Sequence, residues 1–505
     1  MLLSSSDYRV VVYRGLGYVQ AHQYLTLLGL FCLYVLFVKY RSGLRRIPGP
    51  WLASISTIWR FVVVWKQDMP ATSIRLHEKH GPLVRIGPYH VSVADPEALK
   101  VIYGADTRYQ KTVFYQTAQA RYEGSVLSNM FSASGGEYHA RLRRATGHVY
   151  SMTAITELEP LVDSCVQMFL SRLQTAASTN TPFEIDAWLQ YYSFDCLGSL
   201  SFSEDVGFLS SGSDVGLMIN AVDRIFDYVA LVSDPTTECR LFAVDKVHAR
   251  QKQPLDSKDI LSRLFEIHKS DPQKLSFREI VGAMSINVFA GHDALAISMR
   301  TIFYYLCRYP EIRTKLSHEI QIADAAGFLS PIATYAQAAS LPYLSAVINE
   351  AFRIHPPVGL ILERHVPAGG ETISGVHLPG GTVVGINAWV LHQNKVIFGE
   401  DAHSFRPERW IEANPEQLKE MRRNMFAFGS GSRACIGRNI AQFEIFKLVL
   451  EICRNFDFQL ANPERQWQFQ GSWVTKQKGM DMLFAQRKTS SHGASIEEKL
   501  LETND

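Results

Sequence analysis

One sulfur stands apart among the side chains able to do chemistry. In FGSGSRACIG, Phe428 to Gly437, Cys435 sits among three glycines and follows Arg433 by two positions. Gly429, Gly431 and Gly437 permit tight turns and close backbone approach. The apolar period of CIGRNIAQFEIFKLVLEI predicts a helix starting at or just after Cys435. A sulfur at a helix N-terminus is stabilised as a thiolate by the helix dipole and by turn N–H groups, which prepares it as a metal ligand. With one thiolate, a zinc or iron–sulfur site would lack its other ligands, whereas haem brings four nitrogens and needs one axial donor. Arg433 is placed to meet a haem propionate.

Two further groupings could serve such a centre. Glu350 and Arg353, in NEAFRIHPP, share a helix face that Pro356 and Pro357 terminate. That spacing describes an exposed pair of little worth, unless Arg409 of FRPERW joins it in a buried network. Upstream, Ala290, Gly291, His292 and Asp293 combine a small pair, which lets a flat ligand approach, with an acid in the next turn. A buried helix whose glycine only relieves packing has the same pattern.

The elements that must position these groups are mostly helices. A capping box at Ser276–Glu279, with no proline before Pro310, predicts about nine uninterrupted turns carrying His292 and Asp293. VRIGPYHVSVADP alternates like paired strands, and HLPGGTVVGINAWVLHQ starts as a turn and continues with β-branched residues. The expectation is a mainly α body with a small β-containing lobe over residues 47–487. It is preceded by a membrane anchor with a basic flank (1–46) and succeeded by a polar tail (488–505) with a short helical pattern at SIEEKLLE. From Leu25 to Val38 the chain carries no charge, and the run from Val19 approaches the roughly 20 residues of a spanning helix. Lys39, Arg41, Arg45 and Arg46 come after it and only Arg9 and Arg14 precede it, which leaves the body in the cytosol. IPGP, at 47–50, then forms a stiff hinge.

Composition excludes several classes. With 51 basic and 49 acidic residues there is no surplus for nucleic acid. The seven cysteines are scattered without a CxxC pair, which argues against a disulfide framework or a zinc site. No dinucleotide fingerprint stands at Rossmann spacing.

Taken together, these residues resemble the cytochrome P450 family. FGSGSRACIG is similar to its haem signature at Phe428, Gly429, Arg433, Cys435 and Gly437; Glu350 and Arg353 resemble its ExxR pair, FRPERW its PERF-type element, and AGHD the middle of its distal I helix. The stretches LPYLSAVINEAFRIHPP and VVGINAWVLHQNKVIFGEDAHSFRPERW also resemble the microsomal fungal, pisatin-demethylase-like branch. The resemblance implies the cytochrome P450 fold and haem b (iron protoporphyrin IX). Cys435 would be the axial thiolate that pushes electron density onto iron, with Phe428 packed beside it. Arg433, Arg364, Arg143 and His139 would attend the propionates; His139 stands where the family often has tryptophan, and a surface histidine is the other reading.

The resemblance also implies a membrane-anchored monooxygenase of the endoplasmic reticulum, single-pass with a cytosolic catalytic domain. It would use O2 and NADPH electrons from a separate NADPH-cytochrome P450 reductase on a lipophilic small molecule, as in fungal secondary metabolism. Arg422, Arg423, Arg438 and Lys447 are candidates for the reductase-docking surface, or plain solvated charges. Tyr109, Phe114, Tyr115, Tyr122, Phe131, Phe289, Val358 to Leu362, Trp473 and Val474 would line the pocket. One departure matters: where the family places threonine after the acid, this chain has Ala294 and Leu295. Asp293 and His292 remain as proton-relay candidates, His292 equally as a packing or exposed residue, and a water or substrate hydroxyl would replace the missing side chain. The gap keeps open a haem-thiolate isomerase or dehydratase that does not use O2, and a non-catalytic haem-binding membrane protein.

Overall fold

The computed structural model describes residues 5–41, 43–105, 108–231, 238–253, 256–471 and 473–487. The tail expected at 488–505 lies outside the described residues. The chain is mainly helical, with strands gathered into small sheets.

In chain order, the elements that matter for the site begin with helix α1 (Ser5–Arg41), then strands β1 (Leu83–Gly87), β2 (His90–Val93) and β3 (Gln110–Lys111). Next come helices α2 (Gly136–Thr146), α3 (Glu159–Thr179), α4 (Ile185–Phe202), α5 (Met218–Leu231), α6 (Phe277–Ala290), α7 (Asp293–Arg308) and α8 (Pro342–Ile354). Strands β4 (Arg364–His365) and β5 (Val383–Ile386), helix α9 (Arg438–Asn455), and the hairpin β6 (Gln468–Gly471) and β7 (Thr475–Lys478) complete the set.

The larger core is helical. α3, α4, α6, α7, α8 and α9 contribute Phe169, Leu189, Tyr192, Met284, Ile302, Phe303, Leu344, Val347, Phe443 and Leu448 to one continuous apolar cluster. A second cluster fills the β-containing lobe, around Val91, Val93, Ile102, Val384, Ile386 and Leu391. Its sheet runs β1-β2-β5-β4-β3, with β2 and β5 parallel and the other pairs antiparallel. The register sets Lys111 directly across from Arg364.

The IPGP hinge is docked as well as stiff. The N–H of Arg85 on β1 donates to the Pro48 carbonyl at 2.7 Å, and a Cβ on Gly49 would stand 2.2 Å from the Arg85 carbonyl oxygen, so only glycine fits there. Before it, α1 includes Gln20–Tyr40, 21 residues long and apolar enough to cross a membrane, nearly all of it exposed.

The long helix expected from Ser276 to Arg308 is corrected at one point. Its capping box forms as expected, Ser276 and Glu279 each accepting from the other's backbone N–H. The helix then breaks between α6 and α7, at Gly291 (φ −80°, ψ −17°) and His292 (φ −103°, ψ −42°). Gly291 is a weak helix former. The residues beside it are held from outside the helix, His292 stacking on Phe194 of α4 at 3.9 Å between ring centres and Asp293 bonded to Lys476 of β7. Side-chain anchoring of this kind overrides the uninterrupted apolar pattern.

Candidate active site

Cys435 is presented by a loop that could hold few other sequences. Gly429 (φ +68°) and Gly431 (φ +64°) adopt left-handed backbone, and a Cβ on Gly431 would fall 1.8 Å from the Tyr103 carbonyl oxygen. The Cys435 N–H donates to the Phe428 carbonyl at 2.8 Å, and Arg143 of α2 donates to the Ala434 carbonyl at 2.7 Å. Gly437 caps α9, so the sulfur lies just before a helix N-terminus, as the sequence predicts. Cys435 lies deep among protein atoms, yet its side chain is exposed. Burial pushes its thiol up, while the N–H of Gly437, the charge of Arg143 and the N–H of Arg438 pull it back toward the thiolate. Phe428 packs edge-on against Phe352 of α8 at 5.0 Å, and the Arg438 guanidinium stands 5.6 Å from its ring centre.

Beside this loop lies an unbalanced set of positive charges. Arg433 donates to the carbonyls of Ala133 at 2.7 Å and Gly135 at 3.0 Å; Arg364 donates to the Tyr115 hydroxyl at 3.2 Å and the Glu363 carbonyl at 2.8 Å. Lys111, which sequence reasoning missed, donates to the Phe131 carbonyl at 2.6 Å between the Tyr115 and Phe131 rings. His139 is buried, so the reading of it as a surface histidine is corrected. None of Lys111, Arg143, Arg364 and Arg433 forms an ion pair among the described residues; nearby Glu363 is taken by Arg60 at 2.8 Å. The electrostatic consequence is plain. Burial first, then Arg364 and Arg433, hold the Lys111 ammonium well below its ordinary range; burial, then Arg364, lowers Arg433 to about 10. Burial, then Arg433, Lys111, Arg143 and Arg364, lowers His139 to about 3. Like charges placed opposite one another in a sheet oppose folding unless an anion joins them. A lone lysine between aromatics carries no sequence signal for this role, because only the β3–β4 register sets it against Arg364.

The Glu350 pair is the buried network, not the exposed one. Glu350 and Arg353 are fully buried and joined by two bonds of 2.8 and 2.7 Å. Arg409 adds a bond at 3.0 Å, the Trp410 indole one at 2.9 Å and the Arg406 N–H one at 2.8 Å. Arg353 also donates to the carbonyls of His392, Ala402 and Ser404, and Arg409 to Asp401 at 2.9 Å. His392, absent from the sequence reading, joins this clamp to the cysteine loop: its Nε2 accepts from the Phe426 N–H at 2.9 Å, so Nδ1 carries the proton donated to the Arg353 carbonyl.

On the distal side, Ala290 and Gly291 are exposed although they lie within the longest apolar stretch of the body, and Ala294 is half-buried beside them. Both adjacent polar groups point elsewhere. His292 is fully buried against Phe194, and burial lowers it to about 4, which corrects the exposed reading. Asp293 pairs with Lys476 at 2.6 Å and accepts from Gln190; burial opposes its ionisation, but Lys476 and then His292 bring it to about 2.

The expected pocket residues assemble in part. Phe114, Tyr115, Phe131 and Trp473 form one aromatic group with ring centres 5.0 to 6.4 Å apart, and Val358 bridges to Val474. Tyr122 does not join it: its hydroxyl bonds His248 at 2.7 Å, because the turn between Ala120–Tyr122 and Ser125–Leu127 directs it away. Tyr109 packs with the core of the β-containing lobe. Lys447 is also corrected. It is fully buried, paired at 2.6 Å with both Glu159 and Asp163, and cannot belong to a docking surface; Arg422, Arg423 and Arg438 remain exposed, Arg423 lying 3.5 Å from Glu97 and 3.6 Å from Glu420.

These features suit a haem. Among the described residues no cluster of three or more His, Cys, Asp or Glu could hold a metal alone, so the single sulfur needs a ligand that brings its own ring of donors. The surplus of buried cations calls for a dianion at the edge of that ring, as two propionates provide. Fold and site therefore define a protein built to present one cysteine sulfur to a planar, dianionic metal complex. A family model for Cytochrome P450 matches residues 48–484, and the chain belongs to that family. It is 37% identical over 451 residues to a cytochrome P450 monooxygenase of Aspergillus terreus, covering 83% of this chain and 91% of the relative. It is 33% identical over 469 residues to the cytochrome P450 monooxygenase cicH of Emericella nidulans (88% and 94% covered), and 32% identical over 498 residues to the pisatin demethylase of Fusarium vanettenii (94% and 95%). The protein is a haem-thiolate enzyme of the monooxygenase type.

Proposed function

We propose that this protein oxidises a lipophilic small molecule, taking electrons from NADPH through a separate reductase, as part of secondary metabolism. The observation that carries the reading is the coincidence at one loop of an exposed sulfur, amide donors directed at it, and buried or half-buried cations that pair with no carboxylate among the described residues. The bound haem supplies activation of dioxygen. The chain's own residues do the rest: Cys435 ligates the iron, Arg433, Arg364, Lys111 and His139 hold the propionates, Arg143 fixes the loop carbonyl, and Glu350, Arg353 and Arg409 lock the segment leading to the loop. The aromatic group around Trp473 excludes water and receives the apolar substrate.

Domain organisation accords with the same reading: an anchor at 1–46, a haem domain at 47–487 and a tail at 488–505. The span in α1 would tether the body to the endoplasmic reticulum with the catalytic domain in the cytosol. The helix Ile58–Trp65 supports contact with the bilayer, for Ile58, Phe61, Val62 and Trp65 form an exposed apolar stripe at helical spacing. Arg422, Arg423 and Arg438 are the exposed charges left to meet an acidic reductase.

Ala294 and the engaged Asp293 favour a second reading, an isomerase or dehydratase, since neither offers a free proton donor to bound dioxygen. Incubation of the haem-loaded protein with its reductase, NADPH, labelled O2 and a metabolite extract separates the two. A product gaining one labelled oxygen supports the monooxygenase; turnover that continues without O2 and NADPH overturns it. If a water or substrate hydroxyl serves at position 294, Ala294→Thr leaves coupling of NADPH use to product nearly unchanged, and a large gain in coupling overturns that role.

A further inference from the structure

Among the described residues Lys476 is the one lysine or arginine bonded directly to the carboxylate at the helix break, and it is shared. Its ammonium pairs with Asp293 at the start of α7 at 2.6 Å and makes a second close contact with Asp223 of α5. Lys476 and Asp293 are almost completely buried, whereas Asp223 keeps about a third of its surface exposed. The lysine sits on β7, two residues past Val474 and three past Trp473, and its strand is fixed by pairing with β6 and by Gln477 bonding Thr301 of α7 at 2.9 Å. The other Asp293 oxygen has no hydrogen-bond partner among the described residues, and Gln190, the second donor to Asp293, is held in turn by Arg300 at 2.7 Å. Among the described residues, α5 is therefore tied to the distal helix by a shared cation.

We propose that Lys476 is a positioning residue that links the docking of α5 to Asp293, because the two carboxylates compete for its single ammonium. When α5 is seated, Asp223 draws on the lysine and loosens its hold on Asp293; when α5 withdraws, the whole charge falls on Asp293 and pins that carboxylate. The link is reciprocal by thermodynamic necessity, so a change at Asp293 must be felt at α5. In this way the seating of α5 reaches the acid beside Ala294. This goes beyond the proposed oxidation and does not depend on which reaction the haem performs.

Reciprocity predicts opposite signs for the two aspartates, which a merely structural contact would not give. Amide hydrogen exchange of residues 218–231 is read in the haem-loaded full-length protein in lipid nanodiscs, with the carbon monoxide spectrum checking each variant. Asp223→Asn and Lys476→Met should speed exchange in α5 by about fivefold or more, Lys476→Arg should restore it, and Asp293→Asn should slow it below the parent. Asp223 is partly exposed, so its variant keeps the test alive should Lys476→Met fail to fold. Unchanged or faster exchange in Asp293→Asn, or unchanged exchange in Asp223→Asn, overturns the proposal.

Discussion

Two buried charge clusters flank Cys435, and they are built on opposite principles. Around Glu350, charges close on themselves: two carboxylates, Glu350 and Asp401, meet two guanidiniums, Arg353 and Arg409, and carbonyl oxygens take the remaining N–H groups. Around Arg433, charges stay open: Lys111, Arg364 and Arg433 are bonded only to carbonyls and a phenol. A closed cluster stabilises the protein by itself, whereas an open one holds an uncompensated repulsion until an anion arrives. On the proposed function, the first is a piece of fold and the second a piece of binding site. Burial alone cannot tell them apart, since both contain a histidine lowered to about 3, His392 and His139. The bonding partners can.

The largest effect is expected at the closed cluster. Glu350→Gln removes the charge that accepts five donors. It should cost about 3–5 kcal/mol and abolish recovery of haem-loaded protein, measured as haem absorbance per mass of purified chain. A stable, haem-loaded variant would show the cluster to be dispensable.

The open cluster should respond with two signs. Lys111→Met relieves repulsion and is expected to raise the melting temperature of the haem-free protein, while speeding haem loss to an acceptor globin by about tenfold from the loaded one. The same sign in both states would remove the distinction between the clusters.

Acid sharpens the contrast more gently. His392 is kept neutral in the fold by burial, with a value of about 3 against 6.5 in the unfolded chain, so the unfolded state binds the extra proton between those limits. Stability from this site is complete above pH 6.5 and falls as pH drops toward 3, by at most a few kcal/mol. Denaturant titrations from about pH 7 to about pH 4 should show a shallower loss for His392→Gln than for the parent.

The smallest effect is expected at an exposed charge. Arg438→Gln should change stability by less than about 0.5 kcal/mol and raise the KM for reductase only a few-fold. Lys447→Met, on the same helix, should do the reverse, leaving Glu159 and Asp163 without their shared cation and reductase kinetics unchanged.

Much of the site is legible along the chain because its constraints are local. Glycines at 429 and 431 need left-handed backbone whatever surrounds them, the capping box at Ser276 closes within one turn, and Glu350 and Arg353 share a face by helical period alone. Such features depend on neighbours a few residues away, and so Cys435, its loop and the family could be read without coordinates. What only the tertiary structure decided depends on residues far apart in sequence. Lys111 became part of the cation cluster through a strand register with Arg364, Lys447 left the surface because α3 supplied two acids, Tyr122 turned toward His248, and the distal helix broke where Phe194 and Lys476 took hold of His292 and Asp293. The physical reason is the same each time. A charged or aromatic side chain has no preferred meaning of its own, and its partners, brought near only by folding, set whether it braces, binds or faces water.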